Sequence, residues 1–112
     1  MFRYNKFKNK KTKVDGIVFD SQKEAKRYLE LKMLLNLGKI SGLKMQPIYI
    51  LQEKFKLNGK NIRAIKYVAD FEYLDNSSGK IVIEDVKGIK TDVYKLKKKL
   101  FQKKYGKDIK EI

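Results

Sequence analysis

The residues best suited to chemistry in this chain are Asp70, Asp85 and Lys87, all within residues 67–88, YVADFEYLDNSSGKIVIEDVKG. Two runs rich in β-branched and aromatic residues, 65–74 and 80–87, flank the turn formers Asp75-Asn76-Ser77-Ser78-Gly79, so the stretch reads as an antiparallel hairpin. Side chains alternate along a strand, which puts Tyr67, Ala69, Phe71 and Tyr73 on one face and Asp70 on the other, beside Val68. In the second run Ile81, Ile83, Asp85 and Lys87 share a face, with Val82, Glu84 and Val86 on the reverse. Asp85 and Lys87 therefore continue an apolar row, where they must satisfy each other, bind a metal or reach a cleft, because an unpaired buried charge is costly. Glu84 points away from that row and is the weaker candidate. The chain has no histidine and no cysteine. Serine-histidine triads, histidine-metal nucleases and zinc fingers are excluded, leaving carboxylates, lysine, tyrosine and a hard, oxygen-seeking cation.

These residues must be carried by one scaffold, since 112 residues suffice for one core and not for two. The reading is a single domain over residues 1–112. Hydrophobic residues make up 42%, enough for that core, while 28 Lys+Arg against 13 Asp+Glu leave a net charge of +15. Such a chain attracts a polyanion, either nucleic acid or an anionic membrane surface. A membrane-surface role would compete for the apolar helix faces that so short a chain needs for its core. No apolar run reaches the roughly 20 residues of a membrane span, and no apolar stretch follows the charged N-terminus, so the expectation is a soluble, cytoplasmic protein.

In chain order, residues 1–13 read as a basic arm in which Arg3, Lys6, Lys8, Lys10 and Lys11 alternate with aromatics, suited to nucleic-acid contact or simply held open by repulsion. Residues 14–19 read as a short strand or hairpin bent at Asp15-Gly16. Ser21-Gln22-Lys23-Glu24 has the form of a capping box, and a helix runs on through Leu37 until Gly38 stops it. Glu24, Tyr28, Leu31 and Leu35 fall in one stripe, with Lys23, Lys26, Arg27 and Glu30 towards solvent. Glu24 either closes the cap on Ser21 or heads the apolar face into a site. A strand follows around residues 45–51, where Gln46 is a candidate for substrate or water contact, or else for an interstrand amide bond. Asn58-Gly59 marks a hairpin turn, giving a meander of three strands. After Gly88, Thr91 or Asp92 caps a second helix with Val93, Leu96 and Leu100 on its apolar repeat. Its other face carries Lys95, Lys97, Lys98, Lys99, Lys103 and Lys104, a solvated face or a phosphate track. Residues 107–112 add one short last strand.

Asp70 followed across the hairpin by Asp85-Val86-Lys87 resembles the core motif of the PD-(D/E)XK nuclease superfamily, with Ala69 in place of the proline. Together, Ser21-x-x-Glu24, Tyr67-x-x-Asp70-Phe71 and Glu84-Asp85-x-Lys87-Gly88 look like a family of small phage-encoded nucleases within it. The likeness covers most of the chain and is closest over residues 19–31 and 67–100. It implies a mixed α/β fold with a restriction-endonuclease-like core: helix, three-stranded meander, helix, short last strand. It also implies a Mg²⁺- or Mn²⁺-dependent DNA nuclease, with Asp70, Asp85 and Glu24 as metal ligands and Lys87 orienting the attacking water. The duplex would then be held by the arm and by Lys95, Lys98, Lys99 and Lys103. By fold-level analogy the enzyme would be structure-selective, of the kind that resolves Holliday junctions or other branched DNA. Cutting both strands with one site per chain calls for a homodimer. The alternative is a basic nucleic-acid-binding protein without catalysis, in which Asp70, Asp85 and Lys87 form only a structural ion cluster.

Overall fold

The computed structural model describes residues 11–112. Arg3, Lys6, Lys8 and Lys10 lie outside the described residues. The architecture is mixed α and β. In chain order it runs β1 (Thr12–Val14), β2 (Ile17–Phe19), α1 (Gln22–Asn36), β3 (Ile40–Met45), β4 (Ile48–Gln52), β5 (Phe55–Leu57), β6 (Lys60–Ile62), β7 (Ile65–Val68), β8 (Phe71–Asp75), β9 (Lys80–Asp85), α2 (Asp92–Tyr105) and β10 (Lys110–Glu111).

Local chemistry explains the first third. Asp15 and Gly16 both take positive φ, 52° and 77°, so the β1–β2 hairpin closes on the left-handed turn that matches strand twist. The first strand already begins at Thr12, so the expected arm is shorter than residues 1–13. Helix α1 starts at Ser21, whose side chain accepts from the Glu24 amide at 3.1 Å, and it buries Glu24, Ala25, Tyr28 and Leu31. Arg27 departs from its expected solvent position: it reaches 57 residues along the chain to Glu84, at 2.8 and 2.6 Å.

The central sheet has the order β10-β9-β8-β3, with β10 parallel to β9 and the other pairs antiparallel. The simple three-stranded meander is therefore corrected. Residues 40–45 form a sheet strand that the alternation pattern did not reveal, and the run 65–74 is broken in two. Strand β7 pairs with β4 in a separate ribbon, whereas β8 joins the central sheet. The break has a cause in the neighbouring connection. Gln46 takes φ 52° and Pro47 has no amide hydrogen to donate, so the β3 ladder cannot continue into β4. Three backbone bonds bind the junction: Gln46 N–H to Asp70 O at 2.9 Å, Ala69 N–H to Pro47 O at 3.1 Å and Asp70 N–H to Glu84 O at 3.0 Å.

Two cores result, one on each side of the β8–β9 pair. Phe71 and Tyr73 pack with Phe19, Ala25, Tyr28, Leu31 and Ile40 on the α1 side. Ile83 packs with Tyr67, Ala69, Tyr94, Phe101 and Ile109 on the α2 side. Helix α2 is capped by Thr91 and ends at Gly106 in the left-handed region. Its inward face is corrected: Tyr94 and Phe101 are buried, while Val93, Leu96 and Leu100 are exposed. Each aromatic ring buries more apolar surface than a Val or Leu side chain, and the two rings set the rotation of the helix.

Candidate active site

At the junction where β7 ends and β8 begins, four elements converge. Glu24 comes from the first turn of α1, Asp70 from the break between β7 and β8, Asp85 from the end of β9 and Lys87 from the segment after it. They line one cleft of about 390 Å³ together with Gln46 and Asp20. A larger open groove of about 870 Å³ lies at the other end of β9, beside the β8–β9 turn, and gathers no comparable cluster of acids.

Each acid is held differently. Asp85 is 2% exposed; its Oδ2 accepts a hydrogen bond from the Tyr67 hydroxyl, and its Oδ1 lies 3.4 Å from Lys87 Nζ. Burial, then the Asp85 carboxylate, pushes the Tyr67 phenol far up, so it stays a donor and fixes the carboxylate plane. Asp70 lines the cleft, and its Oδ2 accepts from the Val86 amide at 2.6 Å. Glu24 is only 5% exposed, yet among the described residues its carboxyl has no hydrogen-bond donor. The capping box is half made, since only the Ser21 side chain takes part in it.

Lys87 is aimed rather than free. Its Nζ sits 4.3 Å above the centre of the Tyr94 ring, whose hydroxyl donates to Glu111 Oε2 at 2.7 Å. Glu111 also receives Lys90 at 2.9 Å and Lys98 at 3.1 Å, and these donors hold its carboxyl down at about 2. Lys98 is thus engaged in an ion pair, while Lys95, Lys99, Lys103 and Lys104 are exposed. Lys11 pairs at the surface with Asp20 at 3.5 Å. Gln46 lines the cleft, and its backbone N–H bonds to Asp70.

Burial raises the Glu24 carboxyl to about 7, reinforced by Asp70, Asp20 and Asp85. Burial also raises Asp70, to about 6, with Asp85 adding to the effect and the Val86 amide opposing it. Both folded values exceed the unfolded ones, so the folded protein binds more protons and its stability is greatest below the unfolded values. That stability is lost as pH rises through about 6 to 7. In chelator the midpoint of unfolding is expected to be higher at pH 5 than at pH 8, with Glu24 alone contributing up to roughly 3 kcal/mol at about 1.4 kcal/mol per pH unit. Urea titrations at the two pH values check this, and the reverse order would show the acids to be better compensated than their surroundings indicate.

The residues fit a hard divalent cation in chemistry: three carboxyls share one cleft, two of them carry raised affinities for protons, and one is buried with no hydrogen-bond donor among the described residues. They form an open set. Among the described residues no three acidic side chains stand, as placed, in a group that could hold a metal ion.

Reasoning from the sequence missed Tyr67, Tyr94 and Glu111 as supports of the site, and misplaced Arg27. Tyr67 was visible only as a strand aromatic within the Tyr67-x-x-Asp70-Phe71 motif; Tyr94 and Glu111 carry no local signal, because their roles come from long-range pairing. Glu84, expected to point away, is fully buried between Arg27 and the Tyr73 hydroxyl and outside the cleft.

No curated protein and no solved structure matches this chain significantly. The family model described as "Protein of unknown function (DUF1064)" matches residues 4–111, nearly the whole sequence, and the chain belongs to that family.

Proposed function

We propose that this protein is a divalent-metal-dependent DNA nuclease of the PD-(D/E)XK type, with a restriction-endonuclease-like core and Glu24, Asp70, Asp85 and Lys87 as its active site. The observation that carries the reading is the buried Glu24 carboxyl, without a hydrogen-bond donor among the described residues, in one cleft with Asp70, Asp85 and Lys87. A protein that only bound phosphate would gain nothing from converging acids, which repel the ligand. Mg²⁺ or Mn²⁺ bound there would supply Lewis-acid charge at the scissile phosphate and acidify a coordinated water. Asp70 and Asp85 offer the oxygens, each oriented by a hydrogen bond to its other oxygen, from Val86 and Tyr67. Lys87, steered by the Tyr94 ring, adds fixed positive charge beside the reacting phosphate and a donor for the attacking water.

The second reading is a nucleic-acid-binding protein without catalysis, favoured by the Lys87–Asp85 pair at 3.4 Å. That pair explains two of the four residues and leaves the buried Glu24 carboxyl unexplained. Incubation with linear, single-stranded and four-way-junction DNA, with and without Mg²⁺, separates the two. Metal-dependent cleavage supports the nuclease, and DNA binding without cleavage or Mn²⁺ uptake supports the binding module.

The α2 lysines would contribute affinity and not chemistry. Replacing Lys95, Lys99 and Lys103 by Gln is expected to lower the salt slope of duplex binding by up to about 0.9 for each phosphate that is no longer neutralised. The slope is read from binding isotherms at several salt concentrations, and an unchanged value would assign those lysines to solvent.

A further inference from the structure

The β5–β6 hairpin is not explained by the fold. Its strands pair with each other, Phe55 with Ile62, Lys56 with Asn61 and Leu57 with Lys60, and among the described residues they touch no other helix or strand. A lone two-stranded hairpin is marginal in water. Here its turn is strongly specified, since Asn58 and Gly59 take φ 51° and 76°, the left-handed pair that closes a tight hairpin. Phe55 is 45% and Leu57 58% exposed, so the hairpin adds little to the core.

The pairing register sorts its side chains into two faces. Phe55, Leu57, Ile62 and Lys60 share one, whereas Lys56, Asn61 and the flanking Lys54 and Arg63 share the other. Residues 54–66 contain Lys54, Lys56, Lys60, Arg63 and Lys66 and no acid. Lys54, Lys56, Asn61 and Arg63, with Phe55 and Ile62, border a groove of about 400 Å³.

We infer that this hairpin is a duplex-binding ribbon whose basic face enters the major groove of DNA away from the cleft. The inference rests on the nucleic-acid part of the proposed function. A two-stranded ribbon is one of the two elements that the major groove admits, and clustered cations on one face complement its phosphate walls. Asn61 adds the amide that pairs with an adenine edge. The β4–β7 ribbon joins the hairpin to the cleft, because its far end, Ile48 opposite Val68, adjoins Gln46 and Asp70. From Asp70 to the Asn58-Gly59 turn, about 11 residues at ~3.3 Å each give a reach of at most ~36 Å. That is about one turn of B-DNA, so the ribbon would hold the duplex up to roughly 10 base pairs from the site of cutting.

The test uses the full chain and a 40-base-pair duplex in EDTA, where binding needs neither metal nor cleavage. A variant carrying Lys54→Gln, Lys56→Gln and Arg63→Gln is expected to bind about tenfold or more weakly near 150 mM salt, with a salt slope lower by about 2 to 3. Hydroxyl-radical footprints should shorten at one end by up to about one helical turn. A second variant, with residues 54–63 replaced by an Asn-Gly turn, should show the same loss while circular dichroism shows the fold intact. Phe55→Ser with Leu57→Ser should leave affinity within about threefold and mass in solution unchanged. Unchanged affinity and footprint in the first two variants would overturn the inference. So would a dimer that falls to monomer when Phe55 and Leu57 are replaced, which would assign the ribbon to self-association. A nuclease failure is distinguishable, because it would appear as uncut DNA while the ribbon-dependent binding persisted.

Discussion

Asp70→Asn is expected to abolish metal-dependent DNA cleavage and to weaken Mn²⁺ binding while leaving duplex affinity intact or raised. The substitution preserves shape. The side-chain oxygen of Asn can still accept from the Val86 amide, so the junction between β7 and β8 keeps its anchor. What disappears is a charge whose carboxyl already sits at about 6 because burial and Asp85 disfavour its ionised form. The metal-free variant should therefore be at least as stable as the parent at pH 8, since one of three crowded carboxylates has gone. Removing an acid that would face the phosphates also explains why affinity for DNA should not fall. Asp70 as the structural partner of Lys87 would behave oppositely, stranding a lysine at a cost on the order of 3 kcal/mol. The geometry argues against that, because Lys87 is paired with Asp85 and stacked on Tyr94. Calorimetric titration with Mn²⁺ and thermal unfolding in chelator decide between them. Preserved Mn²⁺ binding with a large drop in midpoint would remove Asp70 from the metal site.

Arg27→Met is expected to have the largest effect on stability, and none on the chemistry of the cleft except through folding. Its guanidinium meets Glu84 with two hydrogen bonds, at 2.8 and 2.6 Å, and the Tyr73 hydroxyl donates to the same carboxylate. Glu84 is wholly buried, so removing Arg27 leaves an uncompensated charge in the α1-side core. Loss of one partner from such a pair costs roughly 3 to 5 kcal/mol. Replacing both, as Arg27→Met with Glu84→Leu, should recover much of that stability, because an apolar pair needs no compensation. Urea unfolding of the single and double variants measures the coupling. A loss below about 1 kcal/mol for Arg27→Met would mean that the pair is no better than a surface ion pair. Glu84 and Asp70, two acids on adjacent elements, thus respond in opposite directions, because one is paired with a cation and the other sits beside Glu24, Asp85 and a lysine already engaged.

The sequence by itself determined the features that depend on neighbours in the chain. Ser21 and the apolar spacing after it place α1 and put Glu24 on its buried stripe. Asp15-Gly16 and Asn58-Gly59 dictate two tight hairpins through their tolerance of positive φ. Alternation along β9 puts Asp85 and Lys87 in one row and Glu84 on the other side. The short final strand was legible as well, though its parallel pairing with β9 was not.

Only the tertiary structure decided which partners these residues meet. Alternation predicts a continuous strand over residues 65–74, but pairing with β4 on one side and with β3 and β9 on the other divides it at Ala69-Asp70. That division lifts Asp70 into the cleft beside Asp85. The rotation of α2 was likewise set by how Tyr94 and Phe101 fill the space beneath β4 and β7, and that rotation brings Tyr94 under Lys87. Arg27 and Glu84 were legible as a cation on a helix and an acid on a strand, never as a pair. The physical reason is common to all three. Turns, caps and side-chain alternation are fixed by a few adjacent residues, whereas strand pairing, helix rotation and buried ion pairs are settled by competition among groups tens of residues apart for the same buried space.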